Sequence, residues 1–143
     1  ARAFREEGAV VQVCDVDDAA LAALRDSDPQ IGASKADVAD RAQVARLFDE
    51  ALEWLGGLDC LVNNAGIAGP TGRVEEIHPE DWDRCLDVCI TSQFNCARLA
   101  VPHLRQSANA SIANLSSAAG KFGFALRSPY AAAKWAVIGF TKS

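Results

Sequence analysis

Short apolar runs that end in polar or small residues alternate along this chain with stretches of helical period. Ala9-Val10-Val11-Gln12-Val13-Cys14 closes on Asp15, and a weaker run over residues 30–36 closes on Asp37-Val38. Leu58-Asp59-Cys60-Leu61-Val62 closes on Asn63-Asn64-Ala65-Gly66, and Ala110-Ser111-Ile112-Ala113-Asn114-Leu115 closes on Ser116-Ser117. Runs of this length and apolarity read as buried strands. Between them, Val44, Leu47, Phe48, Ala51, Leu52 and Leu55 recur at helical spacing, with Asp40 as a cap before them and Gly56-Gly57 as a stop after. Strand and helix in alternation predict an α/β fold with a doubly wound parallel sheet and helices on both faces. Ligands bind such sheets outside the carboxyl ends of the strands, which is where the polar ends of the runs fall.

The remaining helices follow from local signals. Residues 1–7 read as the end of a helix closed by Gly8. Asp17 or Asp18 caps a helix running through Leu21 and Leu24 to about Arg25. A Gly- and Pro-rich loop covers residues 66–78, and Pro79 then opens a long helix. Its apolar face is Trp82, Leu86, Cys89 or Ile90, Phe94, Ala97 and Val101, and Pro102 implies a kink or an early end. A last helix starts near Ser128 and runs to the end of the sequence. With no repeat or linker, residues 1–143 form a single unit.

Composition excludes several functions. A net charge of −5 argues against a nucleic-acid partner, which needs a basic patch. No apolar run is long enough to span a membrane, and no signal-peptide pattern opens the sequence. Five Cys, none in a Cys-x-x-Cys pair, suggest reduced thiols and a cytoplasmic location. Cys85, Cys89 and Cys96 could share a helix face, but His78 is the only imidazole nearby, so small buried core residues are favoured over a metal site.

The chemistry concentrates in Ser128-Pro129-Tyr130-Ala131-Ala132-Ala133-Lys134. Pro129 favours a first helical turn, and the Ala run sustains it. Four residues apart on a helix, Tyr130 and Lys134 are neighbours, a phenol beside an ammonium. A nearby positive charge favours an ionised phenol, which is one way to build a general acid/base near neutral pH. The plainer account is a Tyr packed under a Lys stem.

Taken together, Asn63-Asn64-Ala65-Gly66, the strand end Asn114-Leu115-Ser116-Ser117, and Tyr130 followed by Lys134 resemble the short-chain dehydrogenases/reductases, with Ser117 thirteen residues before Tyr130 as in that family. The resemblance runs through essentially the whole chain. It implies an oxidoreductase moving a hydride between a nicotinamide cofactor and a secondary alcohol or ketone. In it Ser117 fixes the substrate oxygen, Tyr130 gives or takes the proton, and Lys134 favours the ionised phenol and binds the nicotinamide ribose. Asp15 would accept from the adenosine ribose hydroxyls and repel a 2′-phosphate, so NAD is expected over NADP. A plain strand-end or turn Asp is the simpler reading of that residue. Asp37 and Val38 match the adenine-contacting pair, although a helix-flanking Asp accounts for Asp37 almost as well. Asn63, Ala65 and Gly66 form the turn beside the cofactor ribose, where small residues let backbone approach closely. Residues 121–127 and 67–73 would wall the substrate pocket, although core packing is an equally good account of the Phe and Leu side chains of the first segment. No metal is implied. Homodimers or homotetramers are, through the long helix and the last one, with Trp82, Phe94 and Trp135 as candidates for the interface.

Two further expectations concern completeness and departure. The glycine-rich turn of dinucleotide-binding folds precedes the ribose-binding acid by ~20 residues, which places it before residue 1. The expected architecture is therefore a single partial Rossmann-like domain, lacking the first strand and the last two. Cys89 stands where the family has an Asn that carries a proton relay, and Ser92 stands for a Gly. A thiol is a weak hydrogen-bond partner, so a weakened or rerouted relay is expected. The competing readings are a non-catalytic fragment or decayed member serving as a binding or scaffolding piece, and an unrelated doubly wound binder such as a flavodoxin-like domain.

Overall fold

In a computed structural model describing residues 1–143, the chain forms six helices and four strands. A short helix α1 (Arg2–Glu6) turns at Gly8, at φ +89°, into β1 (Val11–Asp15). Helix α2 (Asp18–Ser27) starts at Asp17, whose carboxylate accepts from the Ala19 and Ala20 amides at 2.8 and 3.1 Å. Strand β2 (Ile31–Lys35) follows, and then α3 (Arg41–Leu55), capped by Asp40 in the same way and ended by Gly56 in the left-handed conformation that favours glycine. Both caps satisfy amide groups that the first helical turn leaves unpaired. After β3 (Cys60–Asn63) come α4 (Pro79–Leu86) and α5 (Ser92–Leu104), then β4 (Ser111–Asn114) and α6 (Ser128–Lys142).

All strand pairing is parallel. β1 pairs with β2 from Val11–Ile31 to Asp15–Lys35, and β3 with β4 from Cys60–Ser111 to Asn63–Asn114. The two pairs are not joined. A cleft of about 1310 Å³ separates them, lined by Val11, Val13, Phe48, Leu61 and other apolar side chains. The edges of β1 and β3 that border it have no ladder partner. This is the expected Rossmann-like α/β sheet without its first strand.

Two cores hold the helices. Val44 and Phe48 of α3 pack against Cys96, Ala100 and Leu104 of α5. Each fully buried Val or Phe contributes roughly 1.5–3 kcal/mol. Cys85, Cys89 and Ala133 form the second core, between α4 and α6, with Leu86, Ile90 and Tyr130 around it.

The long helix expected from Pro79 onward is interrupted. Residues Asp87–Thr91 form a wide π turn between α4 and α5. The Ser92 hydroxyl donates to the Val88 carbonyl at 2.6 Å and the Gln93 side-chain Nε2 to the Cys89 carbonyl at 3.2 Å, supporting the turn. Eleven residues is three turns of ideal helix, so Cys85 and Cys96 would share a face. The wide turn adds about one residue and rotates Cys96 away by roughly 100°. Cys96 therefore meets α3 while Cys85 and Cys89 meet α6, which corrects the shared-face expectation. Pro102 lies in the last turn of α5, which ends two residues later, so the early end is the outcome. No helix is long and apolar enough to cross a membrane.

Candidate active site

The first turn of α6, with Pro129 inside it, places Tyr130 and Lys134 on one face toward the π turn. The Lys134 ammonium lies 5.7 Å from the Tyr130 ring centroid. Lys134 is only 4 % exposed and has no carboxylate within ion-pair distance; its Nζ donates to the Leu115 carbonyl at 2.7 Å. One bond leaves donors of the ammonium to spare. Burying a cation without an anion is costly, and such costs concentrate at functional sites.

Strand β4 delivers the two hydroxyls and separates their roles. Ser116 donates to the Lys134 carbonyl at 2.7 Å and so ties the strand end to α6. Ser117 starts a single 3₁₀ turn (Ala118–Gly120), where its oxygen accepts from the Ala119 amide at 3.2 Å. Its own O–H is left free to donate. That turn packs directly on α6, since a Cβ on Gly120 would fall 2.4 Å from both the Lys134 carbonyl oxygen and the Ser116 Oγ.

After β3 the chain passes under the same lysine. A Cβ on Gly66 would sit 3.5 Å from Lys134 Nζ and 3.8 Å from Cys89 Sγ, in ordinary contact. The Asn63 side chain is buried and donates to Asn114 Oδ1 at 2.8 Å, while Asn114 donates to Thr141 Oγ1 at 3.0 Å. Asn63 thus locks β3 to β4 through its side chain, and its carbonyl accepts from the Leu115 amide at 3.0 Å; Ala65 and Gly66 follow it.

Asp15 and Asp37 lie at the carboxyl ends of the other pair. One Asp15 oxygen accepts from the Val16 and Asp17 amides at 2.7 and 3.0 Å, which orients the exposed carboxylate and leaves its second oxygen free. Asp37 accepts from the Ala39 amide at 3.0 Å and pairs with Arg84 of α4 at 3.0 Å. Half-exposed, that ion pair is worth at most about 1 kcal/mol, but it fixes where Asp37 points. Val38 packs against the α3–α5 core and borders the cleft.

Sequence reasoning missed three contributors. Arg84 gives no local sign of its reach to Asp37. Gly120 carries no mark in the sequence of its close approach to Lys134 and Ser116. Arg127 was placed in a pocket wall, yet its guanidinium lies 5.8 Å from the Tyr130 ring. The Cys85 thiol is pushed up to about 11 by burial and by neighbouring Cys89, so it stays protonated near neutral pH.

Comparison with known proteins agrees with this geometry. A family model described as short chain dehydrogenase matches residues 1–143. A 3beta-hydroxysteroid dehydrogenase of Mediterraneibacter gnavus is 39% identical over 99% of this chain and 52% of its own length. A cis-4-hydroxycyclohexanecarboxylate dehydrogenase of Sinomonas cyclohexanicum is 38% identical over 100% of this chain and 59% of its own. The crystal structure of levodione reductase superposes with a TM-score of 0.87 at 29% identity, covering 97% of this chain and 56% of that one. The chain spans about half the length of the curated relatives it matches. A match that runs from the first residue to the last, on a parallel sheet whose strand ends carry these side chains, shows that the chain belongs to the short chain dehydrogenase family.

Proposed function

We propose that this chain forms the catalytic part of an oxidoreductase that moves a hydride between a nicotinamide cofactor and a secondary alcohol or ketone. The observation that carries the reading is the buried, carboxylate-free ammonium of Lys134 beneath the Tyr130 ring. Packing alone does not call for a buried cation without an anion beside it.

The residues present fit a nicotinamide dinucleotide. The oriented Asp15 carboxylate has one oxygen free to accept from ribose hydroxyls. A 2′-phosphate there would meet a negative charge, so NAD is preferred over NADP. Asp37 and Val38 would border the adenine, and the backbone of Asn63, Ala65 and Gly66 the ribose. The spare donors of Lys134 would hold the nicotinamide ribose. When bound, the cofactor supplies the hydride chemistry.

The chain's own groups hold the substrate oxygen and move its proton. Ser117 donates its free O–H to that oxygen. Tyr130 gives a proton to a ketone or takes one from an alcohol, and Lys134 supports the negative charge left on the phenol. The oxygen and the proton donor are thereby positioned before reaction, which removes part of the entropic barrier. Exposed Phe94 and Trp135, on α5 and α6, support pairing of these helices in a homodimer or homotetramer. Five free thiols accord with a cytoplasmic location.

The test uses the full-length protein with NAD and cyclic secondary alcohols, cis-4-hydroxycyclohexanecarboxylate among them. Tyr130→Phe should lower kcat by ~10²–10⁴-fold while NADH still binds. Undiminished turnover in that variant would exclude Tyr130 as the acid/base.

A further inference from the structure

Arg127 occupies an unusual position for a loop arginine. Its Nη1 donates to Thr71 Oγ1 at 2.8 Å and its Nη2 to the Ala68 carbonyl at 2.9 Å. Its Cζ lies 5.8 Å from the Tyr130 ring centroid and 6.0 Å from that of Phe124. No carboxylate pairs with it. The residue before it, Leu126, is at φ +60° and accepts from the Gly72 amide at 3.0 Å. A left-handed backbone is strained for a leucine and persists only where surrounding contacts over-determine it. The Arg127 Nε is buried without a partner, a further cost that the other contacts must offset.

These contacts converge on one function. The guanidinium joins the segment 68–72 to the segment 124–127 and lies against the phenol ring, while Lys134 lies 5.7 Å from the same centroid. We propose that Arg127 is a positioning residue for Tyr130, fastening the two walls of the pocket together and holding the ring in its reactive orientation. A planar fork is needed for this, since it must reach a hydroxyl and a carbonyl while its charged centre stays within cation–π distance of two aromatic rings. A lysine keeps the charge and loses the fork. This inference rests on Tyr130 being the proton-transfer group.

The test places 3-fluorotyrosine in the full-length protein and follows ¹⁹F resonances, that of Tyr130 being the one absent from Tyr130→Phe. Arg127→Gln and Arg127→Lys should both shift or broaden that resonance and leave any others in place. Amide exchange at Gly72 should rise by ~10-fold or more as the clasp opens. With cis-4-hydroxycyclohexanecarboxylate, kcat should fall ~10-fold with the NADH Kd changed less than about twofold. An unmoved Tyr130 resonance and unchanged Gly72 exchange in Arg127→Gln overturn the proposal. So does full rescue by Arg127→Lys, which would reduce the role to charge. A Tyr130→Phe protein with full turnover would instead overturn the acid/base assignment, and the resonance shift separates the two failures.

Discussion

The Cys89 thiol donates to the Ile67 carbonyl at 3.3 Å and accepts from the Ile67 amide at 3.4 Å. Both groups belong to one residue of the segment that follows β3, immediately after the glycine lying against Lys134. The π turn at Asp87–Thr91 brings the sulfur there, and its small size suits a position with no exposure at all. Where the family resemblance leads one to expect an Asn, the thiol staples the loop and offers little else to a proton chain.

Cys89→Asn should therefore raise turnover in the full-length protein, by up to ~10-fold if proton delivery limits the rate. Cys89→Ala should leave the Ile67 amide and carbonyl unpaired and lower the melting temperature. Steady-state kinetics and thermal melts read the two effects separately, and no gain in the Asn variant would sink the relay argument.

Gly120 is irreplaceable for steric reasons. The Cβ of an alanine would stand 2.4 Å from the Lys134 carbonyl oxygen and 2.8 Å from the carbonyl carbon, both backbone atoms that cannot swing aside. Gly120→Ala should cost about 1–3 kcal/mol as strain in a packed region, seen as a lower denaturant midpoint. Gly123→Ala, with open space around its Cβ and no positive φ, is the control and should be close to neutral.

Cofactor choice should turn on Asp15. Hydrogen bonds to a charged group are worth about 1.5–3 kcal/mol, which is roughly 10- to 100-fold in Kd. Asp15→Ser should weaken NAD binding by that order and raise relative affinity for NADP, measured by titration with both reduced cofactors. An unchanged ratio would remove Asp15 from the ribose site.

Alkaline stability should follow the buried thiols. Burial raises Cys85 from an ordinary value of 9.0 to about 11 and Cys96 to about 12. The folded state therefore binds more protons than the unfolded one above pH 9, and stability falls as pH rises from there through the folded-state values. The melting temperature should decline between pH 9 and 11, and Cys85→Ala should flatten that decline. At pH 8 iodoacetamide should label Cys85 only after unfolding, because the thiolate is scarce and the side chain has no exposure.

The sequence by itself located the strands, narrowed the cap of α2 to Asp17 or Asp18, and determined the cap at Asp40, the stop at Gly56, and the pairing of Tyr130 with Lys134. These are local events: capping spans two or three residues and helical pairing spans four, so residue order is enough to find them. Residue order also sufficed to anticipate the parallel sheet, because apolar runs with polar ends admit few arrangements; the open place of a first strand was expected from the family resemblance and the spacing of its glycine-rich turn. Tertiary structure alone decided the rest. The π turn that separates Cys96 from Cys85 depends on how α5 and α4 seat against different neighbours. Arg84 meets Asp37 across 47 positions, and Arg127 meets Ala68 across 59. Contacts at that separation leave no period in the sequence, since chain topology, not spacing, brings them together.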